Sequence, residues 1–82
     1  MKKYVTIPTV REACQLTPDT LDDICEWLEQ YSVPYIYNNH ELHIRTLEGL
    51  MLARMGDWVV KGVRDEFYPV KDEIFRATYR ES

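Results

Sequence analysis

Polar and apolar positions alternate along residues 4–16, with β-branched Val5, Ile7 and Val10 among them, and predict an extended first strand at or near a sheet edge, interrupted at Pro8. After Thr17 the period changes. Thr17-Pro18-Asp19-Thr20 offers two helix starts: Thr17 as N-cap with Pro18 in the first helical position, or Thr20 as N-cap facing Asp23. Leu21, Ile24, Cys25, Leu28 and Tyr31 then recur at helical spacing, while Asp22, Asp23, Glu26 and Glu29 occupy the other side. The pattern is that of an amphipathic helix of about three turns, and acid in its first turn suits the helix dipole.

Pro34 closes the helical region, and Tyr35, Ile36 and Tyr37 read as a strand entering a tight turn at Asn38-Asn39, because Asn tolerates positive φ. Leu42, Ile44 and Thr46 alternate with His43, Arg45 and Leu47, and Glu48-Gly49 offers the next turn before a strand over residues 50–55. A turn at Met55-Gly56-Asp57 leads into residues 58–63, apolar on both faces and therefore expected as the central, best-covered strand. Arg64-Asp65 turns again into a short strand over residues 66–70, whose pairing Pro69 limits. Asp72 is expected to cap a short final helix with Ile74, Phe75, Thr78 and Tyr79 on one face. The predicted fold is α+β: a small antiparallel curved sheet or incomplete barrel, one amphipathic helix packed on it, and a short C-terminal helix.

Composition and charge narrow the function. A chain of 82 residues suggests a single domain over residues 1–82 that hides only about 60 to 65% of its unfolded surface. An apolar content of 45% with three glycines and four prolines fits a folded chain rather than a disordered one. No segment reaches the roughly 20 apolar residues of a membrane span, and the start Met1-Lys2-Lys3-Tyr4-Val5 is too short and polar for a signal peptide. A soluble, cytoplasmic protein is expected. The net charge is −4, and no Lys or Arg occurs from Glu12 through Ile44, an interval holding Glu12, Asp19, Asp22, Asp23, Glu26, Glu29 and Glu41. One part of the molecule is thus purely acidic, and direct nucleic-acid binding, which usually shows as a basic domain, is not expected.

Candidate catalytic groups are sparse. His40-Glu41-Leu42-His43 has metal-site residue types, but residues three apart on a strand point to opposite faces, so no metal site is expected. Cys14 and Cys25 fall where small apolar side chains suit a core, and their acidic surroundings would raise a thiol pKa. Asp22 and Asp23 lie on a solvated helix face, and there is no glycine-rich phosphate loop. No enzyme activity and no cofactor are expected. Two surfaces remain. Trp58, Lys61, Arg64, Tyr68 and Lys71 place cations beside aromatic rings on one hairpin, the combination a phosphate-bearing nucleotide needs, although Trp58 also fits the core with Lys61 lying over it. Asp22, Asp23, Glu26 and Glu29, with Tyr35 from the tyrosine cluster that also holds Tyr31 and Tyr37, form a candidate protein interface; the rim of the core is the plainer role for those rings.

The segments Thr46-Leu47-Glu48-Gly49, Gly56-Asp57-Trp58-Val59-Val60-Lys61-Gly62-Val63, Glu66-Phe67-Tyr68-Pro69-Val70-Lys71 and Asp72-Glu73-Ile74-Phe75, with Ala77-Thr78-Tyr79, resemble a family of small phage and prophage accessory proteins of largely unassigned function. That family closes with T-L-E-G, G-D-[WY]-[IV]-[IV]-K-G-V and G-E-F-Y-P-x-K-x-x-I-F-x-x-T-Y. Glu12-Ala13-Cys14-Gln15-Leu16-Thr17 is a looser match to its E-A-V-Q-W-T. Asp65 stands where the family usually has Gly, so the turn must hold Asp in a left-handed conformation or adopt another type, and Leu16 replaces the family's Trp. The resemblance implies phage origin and action in the host cell, with interference in host defence as the leading role. Two readings follow: a homo-oligomer that sequesters a nucleotide second messenger on the cation-bearing hairpin, and a direct, anti-CRISPR-type inhibitor of a host defence protein acting through the acidic helix. A structural or regulatory phage component is a third.

Overall fold

The computed structural model describes residues 1–5, 10–78 and 80–81. They form β1 (Lys2–Val5), β2 (Val10–Gln15), α1 (Leu21–Gln30), β3 (Tyr35–Asn38), β4 (Glu41–Thr46), β5 (Gly49–Arg54), β6 (Trp58–Lys61), β7 (Phe67–Val70), α2 (Asp72–Thr78) and β8 (Arg80–Glu81). The fold is α+β, with two antiparallel sheets that do not close into a barrel: β7-β6-β2-β1-β8 and β3-β4-β5. The expected class and its two helices are therefore present. The expected single strand over residues 4–16 is instead two strands folded on each other, with Val5 opposite Val10 and Lys2 opposite Ala13. Alternation has the same period in one long strand as in a hairpin, so the pattern could not separate them. Pro8, expected to interrupt that strand, lies outside the described residues.

Both candidate helix starts take part in forming α1. The Thr17 carbonyl accepts the Thr20 and Leu21 amides at 3.1 and 3.0 Å, and the Thr17 hydroxyl accepts the Thr20 amide at 3.2 Å. Thr20, the flanking residue, makes no side-chain cap; its hydroxyl donates to the Gln15 carbonyl at 2.6 Å and so ties the helix start to the end of β2. At the other end Ser32 is left-handed, with φ 56°. Its amide donates to Glu29, and the Val33 amide donates to Leu28 at 2.9 Å. These paired bonds satisfy carbonyls the last turn would otherwise leave open, with Val33 packed against the same core as Leu28.

α1 buries Ile24, Trp27 and Leu28, while Leu21 and Cys25 are partly covered. Trp27 belongs to the apolar stripe although the spacing from Leu21 omits it; its ring meets Phe67 edge-on at 4.9 Å. The inner face of the five-stranded sheet carries Val59 and Phe67 against α1 and against Leu42, Ile44 and Ala53 of the small sheet. The outer face carries Ala13, Trp58 and Val60 against Phe75 of α2. Cover on both faces explains why the sequence of β6 reads as a continuous apolar run.

That strand stops at Lys61, earlier than expected, and Val63 is exposed in the following turn. Asp65 takes the left-handed conformation there, φ 63°, one of the two options expected for that turn. In α2 only Phe75 is buried, and Ile74 and Thr78 face solvent; Tyr79 lies outside the described residues. Asp72 does not cap this helix. The first helical bond runs from the Phe75 amide to the Lys71 carbonyl at 2.8 Å, and the Asp72 carboxylate is used elsewhere.

Candidate functional site

The β6–β7 hairpin distributes its aromatic and cationic residues over two faces, because neighbours along a strand alternate. Trp58 faces outward from the sheet and is covered by Phe75, the rings stacked 3.9 Å apart and 5° from parallel. Its indole N–H donates to Asp72 Oδ1 at 2.8 Å, which also accepts from Arg76 Nε at 2.9 Å and from Gln15 Nε2 at 3.4 Å. The Trp58 bond and then Arg76 hold the Asp72 carboxyl below its ordinary range. Tyr68 packs on this same outer cluster.

Lys61 lies on the inner side of the sheet. Its Nζ is 3.2 Å from Glu12 and 3.2 Å from Asp65 and 5.0 Å from the centre of the Tyr31 ring. Burial works against its charge, yet the bonds to Asp65 and Glu12 outweigh burial and raise its pKa. Lys71 lies beyond the end of β7, 3.2 Å from Asp57, whose carboxylate also accepts the Arg54 amide at 2.9 Å and pins the β5–β6 turn. Arg64 stands exposed in the β6–β7 turn, and among the described residues its guanidinium has no ion-pair partner. Trp58 and Tyr68 therefore come together, whereas Lys61, Arg64 and Lys71 do not converge on them. The cavity of about 280 Å³ beside Tyr68 is bordered by Glu48 and Glu66, and among the described residues no cation lines it.

The second candidate surface is assembled by the fold. Asp22, Asp23, Glu26 and Glu29 are all exposed, and among the described residues none is ion-paired. The hydroxyl of Tyr35 donates a hydrogen bond to the Glu29 carboxylate. That bond to an anion is the main cause of a phenol pKa far above the ordinary one. A concavity of about 320 Å³, lined by Asp23, Glu26, Trp27, Gln30 and Met1, lies on this side of α1. On the flank of α1 where Tyr35 meets Glu29, β3 is an outer strand of the small sheet, with Ile36 59% and Tyr37 37% exposed.

Both cysteines are free and half-buried, and burial is the first cause raising each thiol, which makes them weak nucleophiles. His40 sits in the hairpin turn while His43 lies within β4, and among the described residues no three His, Cys, Asp or Glu side chains gather to hold a metal. No described helix is long and apolar enough to cross a membrane. Sequence reasoning missed Gln15, Glu12 and Asp57 as partners of the hairpin residues. Their bonds link positions that are distant in the chain, which no local pattern records.

The fold and surfaces define a small α+β domain with one assembled acidic–aromatic face and a hairpin whose lysines are matched by carboxylates. No family model, no curated protein and no solved structure matches this chain.

Proposed function

We propose that this chain is a non-enzymatic binding protein that engages a basic protein surface through α1, as a phage-type inhibitor of a host defence factor in the host cytoplasm. One observation carries the reading: Asp22, Asp23, Glu26 and Glu29 stand exposed on one helix with no ion-pair partner among the described residues, Asp23 and Glu26 lining a concavity and Glu29 accepting from the Tyr35 hydroxyl. Carboxylates spaced along a rigid helix present fixed negative charge much as a phosphate backbone does, and such a face both steers and orients a cationic partner. Tyr35 and the exposed Tyr37 supply ring surface of the kind that anchors interfaces.

Sequestration of a nucleotide by Trp58, Lys61, Arg64, Tyr68 and Lys71 draws its support from the exposed Arg64, which has no ion-pair partner among the described residues, and the half-buried Tyr68 on one hairpin. The acidic face is favoured over it because Lys61 and Lys71 already have carboxylate partners. The test is displacement of DNA from purified basic host defence effectors. The wild-type chain is expected to displace DNA at low salt and progressively less as salt rises, while the variant with Asp22, Asp23, Glu26 and Glu29 all changed to Lys displaces none. Equal displacement by the two proteins, or none by the wild type against any effector, overturns the reading.

A further inference from the structure

The hydrogen-bond phase of the small sheet fixes which backbone groups of β3 are free. The Arg45 amide donates to the Pro34 carbonyl at 3.0 Å, so the pair 34/45 is of the hydrogen-bonded kind. In an antiparallel ladder such pairs alternate with non-bonded ones. With Tyr35 opposite Ile44, Ile36 opposite His43 and Tyr37 opposite Leu42, Ile36 bonds to β4, while the N–H and C=O groups of Tyr35 and Tyr37 point away from it. Nothing pairs with that edge in the sheet order, and among the described residues no other backbone bond reaches it. Proline blunts the edge only before its first residue, at Pro34.

Side-chain direction then selects what fits. Tyr35 faces the core and reaches Glu29 on α1, whereas Ile36 faces the opposite side and is 59% exposed. A strand added beside β3 would carry the side chains opposite Tyr35 and Tyr37 on the acidic side, and those opposite Ile36 against that exposed apolar side chain. We propose that β3 is a docking edge for an extended segment of a partner protein with Lys or Arg at alternate positions and apolar residues between them. The inference rests on the acidic-face reading and specifies the partner's form: a basic strand added to the sheet, held by backbone bonds at Tyr35 and Tyr37 and by Glu29 with its neighbouring carboxylates. A second copy of this chain is the poorer occupant. Two-fold pairing of β3 with β3 would bring two purely acidic helices side by side, and like charges oppose that association.

A peptide of about six residues alternating Lys and Val tests this, together with the same peptide N-methylated on the backbone nitrogens that face β3. The expected result is binding with slowed hydrogen exchange at the Tyr35 and Tyr37 amides, at least about tenfold weaker for the N-methylated peptide. In the protein, Tyr37→Pro removes one outward N–H without touching the β4 ladder and should lose binding, whereas Tyr37→Ala keeps that N–H and should retain it; far-UV circular dichroism checks that both fold. Equal affinity for the two peptides, or protection confined to other amides, overturns the docking edge; if charge reversal on α1 still abolishes that binding, the acidic-face reading survives. Undiminished binding of the unmethylated peptide to the charge-reversed protein overturns both. Failure of the Lys–Val peptide to bind, or self-association through β3 without peptide, overturns the docking edge alone.

Discussion

At Asn39 and His40 the chain adopts φ of 52° and 64°, the two left-handed residues of a tight turn between paired Asn38 and Glu41. Asn-rich sequence made the turn legible, but its centre is one residue later than Asn38-Asn39, because the register of β3 on β4 decides which pair closes the hairpin. Asn tolerates such φ values and His does less well. The variant His40→Gly should therefore gain roughly 0.5–1 kcal/mol in urea unfolding, losing only a 3.5 Å contact to the Tyr37 hydroxyl. Asp72 gives the opposite lesson: its sequence context suggested a cap, and its role as a hub for Trp58, Arg76 and Gln15 follows from where β2, β6 and α2 meet. Its folded pKa lies below the unfolded one, so the stabilisation it provides is present above the unfolded value of about 3.9 and is lost as pH falls through the folded value. The urea midpoint should begin to drop as pH falls towards the unfolded value of about 3.9 and go on dropping below it, and the drop should be shallower in Asp72→Asn.

The strands differ in how they protect their edges. In β7, the bond from the Gly62 amide to the Glu66 carbonyl at 2.7 Å sets the phase. With Val59 opposite Pro69, the pair 59/69 is then non-bonded, and the missing N–H of Pro69 costs the β6 ladder nothing. The proline instead removes a donor from the outer edge of the sheet, a position where strands invite unwanted pairing. Pro69→Val should cost no more than about 1 kcal/mol of stability yet increase self-association measured by light scattering. Sequence reasoning recognised Pro69 as a limit on pairing; which edge it guards is known only from the strand order. The long helix, the hairpin turns and the apolar run of β6 were legible because each writes its own period or turn residues into the chain. The pairing of β1 with β2 was not, since two paired strands and one long strand share one alternation.

For the molecule as a whole, charge placement is what favours the proposed acidic face over the hairpin. A solution-mass measurement followed by thermal shifts with cyclic and ADP-ribose-type nucleotides should give no stabilisation, because a ligand that bound the folded chain would raise its melting temperature by mass action. A marked shift with any of them, from a stable oligomer, would restore the hairpin of Arg64 and Tyr68 as the functional surface. The acidic face was readable in advance, since four carboxylates at helical spacing without an intervening Lys or Arg need no tertiary contact to end up on one exposed side of α1. The separation of the hairpin's cations from its rings was not, because alternation along β6 sends Trp58 and Lys61 to opposite faces, and Glu12 and Asp57 arrive from other strands and turns to pair with Lys61 and Lys71. The sequence by itself determined the elements, the acidic stripe and most of the turns, all of which depend on residues within one or two turns of each other. Tertiary structure alone decided which lysines meet carboxylates and which backbone edge stays open beside α1, because both depend on contacts between segments whose relative placement no local period encodes.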